Sequence, residues 1–381
     1  MASAQQVTPF SVSNLVDYNK LVKDFHTELL TEEHIERIAR LTHRPAHRWL
    51  RRGLFFTHRD LDVILNDYEQ GNPFYLYTGR GPSSDALHLG HLVPFIFTQY
   101  LQESFDVQLV VQLTDDEKYL WKPVTIADTR HYAVENTKDI IAAGLHPDKT
   151  FIFADYDYIG RMYPLITQIQ SRVTFNQVKG IFGFQPETAT GKIMFPAVQA
   201  APAFPACFPH LFGNRKLRCL IPCAIDQDPY FRMTRDYAEG MNAYKPSLIM
   251  SKFFPALQGS QGKMSASDPN SAIYLIDTPE QIRDKINNHA YCAVTDMDDF
   301  KRNGVAVDED VPFQYLRFFL EDDQLLEKIK ADYETARMNP QDVKNILIDE
   351  LVKLVSAHQA RREQVTLDVI RHFMSIRKPS Q

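Results

Sequence analysis

The sequence lacks several features that mark whole classes of protein. Its 381 residues include four cysteines, Cys207, Cys219, Cys223 and Cys292, and no two of them form a Cys-x-x-Cys pair. We therefore expect neither a disulfide scaffold nor a zinc finger, and buried reduced thiols are the simplest interpretation. No stretch approaches the ~18 consecutive apolar residues of a membrane span, and the N-terminus lacks a basic segment followed by an apolar run. These absences predict an intracellular, cytoplasmic protein without a membrane segment.

Positively charged residues are also fewer than negatively charged ones. The chain has 42 Lys and Arg against 48 Asp and Glu, so its net charge is −6. This balance argues against a general cationic coat for nucleic acid but leaves room for a local basic patch. Hydrophobic residues make up 44% and charged residues 24% of the chain, which is typical of a globular protein. The length is sufficient for two domains with a sizeable core.

One segment near the N-terminus departs from this acidic balance. Between residues 35 and 59 a single acid, Glu36, accompanies seven arginines: Arg37, Arg40, Arg44, Arg48, Arg51, Arg52 and Arg59. A face this basic could contact a phosphate backbone. It could equally be a solvated face that pairs with the acidic groups of the rest of the chain, and both interpretations stay open at this point.

Apolar strands alternate with helices in the middle of the chain. The pattern predicts strands at 73–78, 107–113, 151–154 and 219–225, and helices at 87–103, 126–143 and 228–240. Such alternation predicts an α/β fold with a doubly wound parallel sheet, in which ligands bind beyond the carboxyl ends of the strands. The residues before 70 are predicted to form a helical extension, and residues 155–215 a long insertion.

The pattern becomes helical after about residue 270. Thr278-Pro279-Glu280 and Asn339-Pro340 each combine an N-cap residue with a proline at the first helical position. The second of these helices is predicted to place Val343, Leu347, Leu351 and Leu354 on one side. The polar stretch 296–309 predicts a loop. The predicted division is therefore an extension (1–70), a sheet domain (71–268) and a helical domain (269–381).

Two segments carry chemistry. Thr78-Gly-Arg-Gly-Pro-Ser-Ser84 follows a predicted strand, and His88-Leu-Gly-His91 opens the next helix. Backbone N–H groups at a helix start bind anions, and the two histidines share one face, so that both could contact one phosphate chain. Gly90 leaves a flat place for a planar base. No Gly-Lys-Ser/Thr closes the turn, so it is not a Walker loop.

The second segment is Gly262-Lys-Met-Ser-Ala-Ser267, between the sheet and the helical region. One lysine and two hydroxyls in a stretch rich in Gly, Ser and Pro suit a transient clamp on phosphate oxygens. A plain linker is the alternative interpretation.

Together these segments resemble the two ATP-binding motifs of class I aminoacyl-tRNA synthetases. The resemblance narrows to the eukaryotic-type cytoplasmic tryptophanyl enzymes through the segments at 77–84, 114–122, 195–202 and 224–232. It extends over about residues 7–378. It implies a Rossmann-type catalytic domain with a connective insertion, followed by a helical domain that binds the anticodon.

The resemblance also implies roles for individual residues. Catalysis would involve His88, His91, Lys263 and Ser265. ATP would be bound by these four and by Thr78, Gly79, Arg80, Gly90, Lys118, Asp226, Gln227 and Met264. Tryptophan would be bound by Tyr77, Gln112, Glu117, Gln199, Cys223, Gln227 and Phe231. In this set Tyr77 and Gln112 would accept the indole N–H, and Cys223 and Phe231 would be apolar walls.

Several of these residues also have ordinary structural interpretations. Gln112 could be a core amide, Gln199 a turn residue, and Glu117 the salt-bridge partner of Lys118 or Lys122.

Alternative functions also stay open. A tyrosyl enzyme of the same fold would need an acidic acceptor where Gln112 stands. A small nucleotidyltransferase and an inactive binding or signalling paralogue are further alternatives.

The partners follow from the same resemblance. It implies ATP and Mg²⁺ as cofactors, with tryptophan and its tRNA as substrates, although no carboxylate cluster marks a dedicated metal site. It also implies a homodimer. The predicted interface is the 165–200 part of the insertion, because this stretch is apolar at Ile181, Phe182, Phe184 and Phe195.

Overall fold

The computed structural model describes residues 16–259, 264 and 268–377, together with the backbone of 7–8 and 11–12. Its strands are β1 Val7–Thr8, β2 Ser11–Val12, β3 Glu28–Leu29, β4 Phe55–Arg59, β5 Phe74–Arg80, β6 Gln108–Leu113, β7 Thr150–Ala154, β8 Arg218–Ala224 and β9 Ser247–Ser251. Its helices are α1 Tyr18–Phe25, α2 Glu32–Thr42, α3 Arg48–Arg51, α4 Leu61–Glu69, α5 Leu89–Phe105, α6 Asp115–Trp121, α7 Ile126–Ala142, α8 Asp155–Gln170, α9 Phe175–Phe182, α10 Thr190–Ala200, α11 Pro209–Phe212, α12 Asp228–Arg235, α13 Pro279–Asn288, α14 Met297–Asn303, α15 Val311–Phe319, α16 Asp323–Glu334, α17 Pro340–Glu363 and α18 Leu367–Met374.

Seven strands form one sheet in the order β3-β4-β9-β8-β5-β6-β7. The five strands from β9 to β7 are parallel, which confirms the predicted doubly wound α/β fold. β3 and β4 extend the sheet in antiparallel fashion. The chain enters the parallel part at β5 and moves outward through β6 and β7. It then crosses back to β8 on the other side of β5. Such a reversal opens a crevice beyond the carboxyl ends of the two central strands, here β5 and β8.

The period of two along each strand sends alternate side chains into two separate cores. Leu76 and Val111 face a core that includes α5, α7 and the C-terminal helices. Tyr77 and Val110 face the other core, to which the helices of the 155–215 insertion contribute. All four side chains are fully buried. Because both faces of the sheet are covered, its central strands are apolar nearly throughout, and polar groups gather at their ends.

The seven arginines between residues 37 and 59 pair with carboxylates of their own chain. The pairs are Arg37 and Arg40 with Glu69, Arg44 with Glu103, Arg48 with Glu321, Arg51 and Arg52 with Asp323, and Arg59 with Asp228. Exposed pairs of this kind contribute about 1 kcal/mol or less each. Asp228 is fully buried, and loss of its partner would cost about 3–5 kcal/mol. The structure therefore favours the second interpretation, a face paired with the acidic remainder of the chain.

The N-terminal segment contains strands as well as the predicted helices. β4 pairs with β9, and neither strand was predicted. Both are five residues long, and their pairing partners lie almost 200 residues apart in sequence. The apolar run of β9 between Pro246 and Lys252 is the signal that could have revealed it, since short apolar runs are typical of buried strands.

The C-terminal region is helical as predicted, with one correction. The two predicted helix N-caps are confirmed: Thr278 forms a capping box with Gln281 at the start of α13, and Asn339 caps α17. The loop predicted at 296–309 is wrong in part, because it contains α14. The side chain of Asp296 accepts hydrogen bonds from the N–H groups of Asp298 and Asp299 and so starts this helix.

Helix α17 buries the side that the spacing predicts, and it joins the two large parts of the chain. Val343, Leu347 and Leu351 are fully buried, whereas the predicted Leu354 is half-buried and Val355 is buried in its place. Two polar side chains of α17 reach α7 of the sheet domain. His358 lies 3.0 Å from the buried Asp139, and Arg362 pairs with Asp139 and Glu135.

The aromatic residues that suggested an interface in the insertion are buried within their own chain. Phe182, Phe184 and Phe195 belong to the core on the insertion side of the sheet, and Ile181 packs against it half-buried. Their apolar character is therefore explained without a second subunit, and the argument for an interface at these residues is wrong.

Two further expectations concern disulfides and membrane spans. All four cysteines are free. Among the described helices, none combines the length and the apolar character needed to cross a lipid bilayer.

Gly304, which ends α14, provides a test of the C-terminal fold. Its backbone has φ 72° and ψ −154°, a conformation open almost only to glycine, and an added Cβ would overlap the carbonyl of Glu334. We expect Gly304→Ala to lower the free energy of unfolding by about 3 kcal/mol or more, measured by urea denaturation. Gly183→Ala is the matched control, since Gly183 has φ 72° with nothing within 4 Å, and it should cost only about 1 kcal/mol. Equal losses would contradict this packing.

Candidate active site

A cavity of about 910 Å³ opens at the carboxyl ends of β5 and β8. This volume lies at the upper end of the ~300–1,000 Å³ range of small-molecule sites, so there is room for two compact ligands. Most of the predicted site residues line it: Tyr77, Thr78, Gly79, Arg80, His88, Gly90, His91, Glu117, Lys118, Gln199, Cys223, Asp226, Gln227, Phe231 and Met264. Gln112 does not line the cavity, because it is fully buried behind Tyr77. Lys263 and Ser265 lie outside the described residues.

His88 and His91 form a stacked pair at the start of α5. Their ring centroids are 3.4 Å apart, and the Nδ1 atom of His91 accepts the backbone N–H of His88. Burial lowers the pKa of His88 to about 3 and that of His91 well below its ordinary value, and the charge of Arg80 acts in the same direction. Both rings are therefore neutral at pH 7, and each can offer one N–H to an anionic oxygen.

Arg80 brings positive charge to the same wall of the cavity. Its Nε donates to Oδ1 of Asn136 at 3.1 Å, and the Nδ2 of Asn136 donates to the carbonyl of Ser84. One terminal nitrogen of Arg80 is buried without a hydrogen-bond partner among the described residues. Burial lowers the pKa of Arg80 to about 10, so the group stays charged at neutral pH. A buried donor without a partner on a charged group fits an anionic ligand.

Two glycines keep this part of the cavity open. A Cβ at Gly81 would overlap the end of the Lys118 side chain, whose Nζ lies 2.9 Å from Glu117. A Cβ at Gly90 would lie 2.8 Å from Cε of Met264 and 3.2 Å from the His88 ring. The Met264 methyl therefore packs directly over Gly90, and the lack of a side chain at Gly90 is what leaves space at this point. The pairing of Glu117 with Lys118 is also the structural interpretation that the sequence had left open.

The deeper end of the cavity is aromatic and carries a buried polar pair. The Tyr77 hydroxyl lies 2.6 Å from Oε1 of Gln112 and 2.8 Å from the Gln199 carbonyl. The Phe231 ring meets the Tyr77 ring edge-on at 5.8 Å. Burial raises the pKa of the Cys223 thiol well above its usual range, so Cys223 is a neutral wall. This end suits a flat apolar group with one polar atom at its edge.

Asp226 and Gln227 follow β8 and bring a carboxyl and an amide to the entrance of the cavity. The Gln227 amide donates to Asp226 at 3.1 Å. Burial raises the pKa of Asp226 to about 6. At pH 7 this carboxyl is mostly ionised, and it can accept hydrogen bonds from ligand hydroxyls.

Sequence reasoning missed residues that reach the cavity from distant segments. Tyr18 comes from α1, and its hydroxyl accepts the backbone N–H of Phe253. Lys252 follows β9, and its Nζ lies 5.6 Å from the Tyr18 ring centroid. The only sequence signal for Lys252 is its position directly after an apolar run, and Tyr18 has none, because its helix reaches the cavity only through tertiary packing.

No cage for a metal ion is present in the cavity. Within the part of the chain that the structure describes, one group has metal-ligand spacing, His34, His58 and Asp62, and none of these lines the cavity. The Nδ1 atoms of both histidines accept backbone N–H groups, from Thr31 and Leu61. This leaves the ring protons on Nε2, the nitrogens that face Asp62 and the interior, so the group fits a hydrogen-bonded cluster better than a metal site.

Comparison with known proteins gives a consistent result. A family model for class I tRNA synthetases (W and Y) matches residues 69–356. The cytoplasmic tryptophan–tRNA ligase of Homo sapiens is 54% identical over 370 residues, which cover 96% of this chain and 79% of the human protein. The cytoplasmic tryptophan–tRNA ligase of Arabidopsis thaliana is 52% identical over 383 residues, which cover 99% of this chain and 95% of the Arabidopsis protein. The tryptophanyl-tRNA synthetase of Plasmodium falciparum has a crystal structure that matches with a TM-score of 0.89 at 46% identity, covering 96% of both chains.

The neutral state of His88 predicts a pH dependence of stability. The pKa of His88 is about 3 in the folded chain against an ordinary 6.5, so between these values only the unfolded chain takes up the proton. Stability is therefore lost as the pH falls through 6.5. Between pH 7.5 and 5.5 the wild type should lose about 1 kcal/mol more unfolding free energy than His88→Gln, measured by urea denaturation. Identical losses in the two proteins would show that His88 is not held neutral.

Proposed function

Because the chain belongs to the family of class I tRNA synthetases for tryptophan and tyrosine, we propose that it is a tryptophan–tRNA ligase. The resemblance of its motifs is confirmed by relatives of that name, which are 52–54% identical over nearly the whole chain. The enzyme activates tryptophan with ATP, giving tryptophanyl-adenylate and pyrophosphate, and then transfers tryptophan to the 3′ end of its tRNA. One observation carries the assignment: a single cavity joins an anion-binding wall, formed by Arg80, His88 and His91, to an aromatic end where the buried Tyr77 oxygen can accept a hydrogen bond.

The first step follows from the anion-binding wall. A carboxylate oxygen of tryptophan attacks the α-phosphorus of ATP, and the bond to the pyrophosphate oxygen breaks. Such phosphoryl chemistry needs positioning and charge stabilisation rather than a protein nucleophile. The neutral rings of His88 and His91 donate N–H groups to the α-phosphate, and the guanidinium of Arg80 balances triphosphate charge. The adenine lies on Gly90, in the space that the Met264 methyl occupies in the free protein, while Asp226 and Gln227 contact the ribose.

The loop of Lys263 and Ser265 completes this machinery. Family resemblance supports a role for both in closing on the pyrophosphate as it leaves. ATP is a substrate. Mg²⁺ would enter with the triphosphate, since the residues of the cavity do not form a protein cage for a divalent cation, and no step depends on it here.

The aromatic end selects the amino acid. The Tyr77 oxygen is the acceptor for the indole N–H, and Gln112, buried behind it, accepts the Tyr77 proton, while Cys223 and Phe231 flank the rings. Glu117, Gln199 and Gln227 take the ammonium and carboxylate groups. A tyrosyl enzyme is the alternative with the same architecture, and it would need an acidic acceptor where this chain has the neutral Gln112. The relatives favour tryptophan.

The remaining assignments concern the whole molecule. We assign residues 71–268 to the catalytic domain, 269–381 to the anticodon-binding domain and 1–70 to an extension that packs against both. The names of the relatives support a cytoplasmic location. Exposed apolar side chains on the insertion, Tyr163, Phe175 and Met194, support a homodimer that forms through the insertion.

The function is tested by amino-acid-dependent exchange of pyrophosphate into ATP. We expect exchange with tryptophan and none with tyrosine or phenylalanine, because neither side chain has a donor at the position of the indole N–H and the buried acceptor of the site would stay unpaired. A thermal-shift screen of the twenty amino acids should show the same ligand preference by mass action. Exchange with tyrosine alone would replace the assignment, and no exchange with any amino acid would favour an inactive paralogue.

The close packing of side-chain ends over Gly81 gives a second prediction. In Gly81→Ala the new Cβ displaces the ends of the Lys118 and Glu117 side chains, whereas the fold can adapt because both are the ends of flexible side chains. We expect kcat/KM for adenylate formation to fall by about tenfold or more, with an unchanged melting temperature. Gly160→Ala is the control, since Gly160 is exposed on α8 with nothing within 4 Å, and it should leave activity unchanged. Full activity of Gly81→Ala would show that the positions of Lys118 and Glu117 do not matter for adenylate formation.

A further inference from the structure

A chain of hydrogen bonds continues from the aromatic end of the cavity into the interior. Tyr77 contacts Oε1 of Gln112, and the Nε2 atom of Gln112 donates to Oδ1 of Asp155 at 2.7 Å. The carbonyl of Val198 is a second, weaker acceptor for the same nitrogen at 3.4 Å. Tyr77, Gln112 and Asp155 are all fully buried, so no solvent competes for these groups. Asp155 itself lies at the first residue of α8, outside the cavity lining.

The direction of these hydrogen bonds decides what the cavity can bind. An amide has a donor end and an acceptor end, and Asp155 and the Val198 carbonyl both hold its donor end. The acceptor end of Gln112 must therefore face the Tyr77 hydroxyl. The Gln199 carbonyl, the other neighbour of that hydroxyl, also accepts only. The proton of Tyr77 consequently points inward, and its oxygen keeps lone pairs for a donor in the cavity.

We propose that Asp155 is a positioning residue for amino-acid selection: it fixes the amide of Gln112 so that Gln112 accepts the Tyr77 proton and the Tyr77 oxygen stays free to accept the indole N–H. This inference rests on the proposed function and deepens it. If the amide turned over, its N–H₂ group would point at Tyr77 and occupy a lone pair of the hydroxyl. The pair would then be a poorer partner for a donor and no poorer for a ligand without one.

The charge around Asp155 is consistent with this role. Burial raises the pKa of Asp155 well above its usual range, and the carboxylate of Asp116 adds to the effect. Asp115 lies near as well, with its own pKa raised to about 6 by burial. A neutral carboxyl at 155 still offers the carbonyl oxygen that Gln112 needs, and it avoids burying a third negative charge beneath the substrate.

Asp155 also has a simpler, purely structural interpretation, because an acidic residue in the first turn stabilises a helix. Only the positioning role predicts an effect that depends on the N–H of the substrate. The suitable comparison is tryptophan against its analogue in which sulfur replaces the indole nitrogen, which has the same shape and no N–H. A structural defect would lower activation of both, whereas loss of the amide orientation would lower activation of tryptophan alone.

The experiment measures kcat/KM for pyrophosphate exchange with both amino acids in the full-length wild type, Asp155→Leu and Asp155→Asn. The leucine side chain removes the acceptor at similar volume, while the asparagine oxygen can still accept from Gln112. We expect the preference of the wild type for tryptophan over the analogue to fall at least tenfold in Asp155→Leu. It should stay within about threefold of wild type in Asp155→Asn.

Each remaining outcome has a definite meaning. Equal losses for both substrates in Asp155→Leu, or an unchanged preference, would overturn the positioning role. If the leucine variant does not fold, Asp155→Asn still decides, since loss of its preference at a wild-type melting temperature would also overturn it. Failure of the proposed function is separate, because it would appear in the wild type as exchange with tyrosine or with no amino acid.

Discussion

The requirement that a sheet covered on both faces be apolar determines where this protein can do chemistry. Side chains of β5, β6 and β8 alternate between two cores, so polar groups are tolerated mainly where the strands end. The order of the strands then brings the ends of β5 and β8 to one crevice. Arg80, the histidine pair and Asp226 meet there although more than 140 residues separate the first from the last. The site is therefore a consequence of topology as much as of its motifs.

The parts of the site that the sequence predicted are those in which neighbouring residues carry the signal. A strand, a glycine turn and two histidines within twenty residues fix their own geometry, since the turn leads directly into a helix N-terminus. Tyr18, Lys252 and Asp155 were not predicted, because each reaches the site through packing of a distant segment. The strand β4 was missed for the same reason, since it pairs with β9 almost 200 residues away, whereas the apolar run of β9 is a local signal that could have revealed that strand.

Charge patterns were less informative than apolar patterns. Seven arginines in one short segment gave two equally good interpretations, because a sequence shows how many charges a face carries and not what opposes them. In the fold each arginine meets a carboxylate, and three of them reach Glu321 and Asp323 near the start of α16. The basic segment thus holds the extension against the helical domain. The apolar residues of the insertion suggested a subunit interface, but its phenylalanines are buried in the core of their own chain.

Helix α7 connects the sheet domain to the helical domain through buried polar groups, and separating these groups would cost much free energy. At one position Asn136 accepts a hydrogen bond from Arg80, which belongs to the proposed anion-binding wall, and donates one to the carbonyl of Ser84. One turn further along, Asp139 is buried against His358 and Arg362 of α17. Moving α17 relative to α7 would leave a buried carboxylate without partners, at a cost of about 3–5 kcal/mol. The helical domain and the anion-binding wall are therefore fixed to the same rigid element, so the geometry around Arg80 depends on the docking of a helix from the other domain.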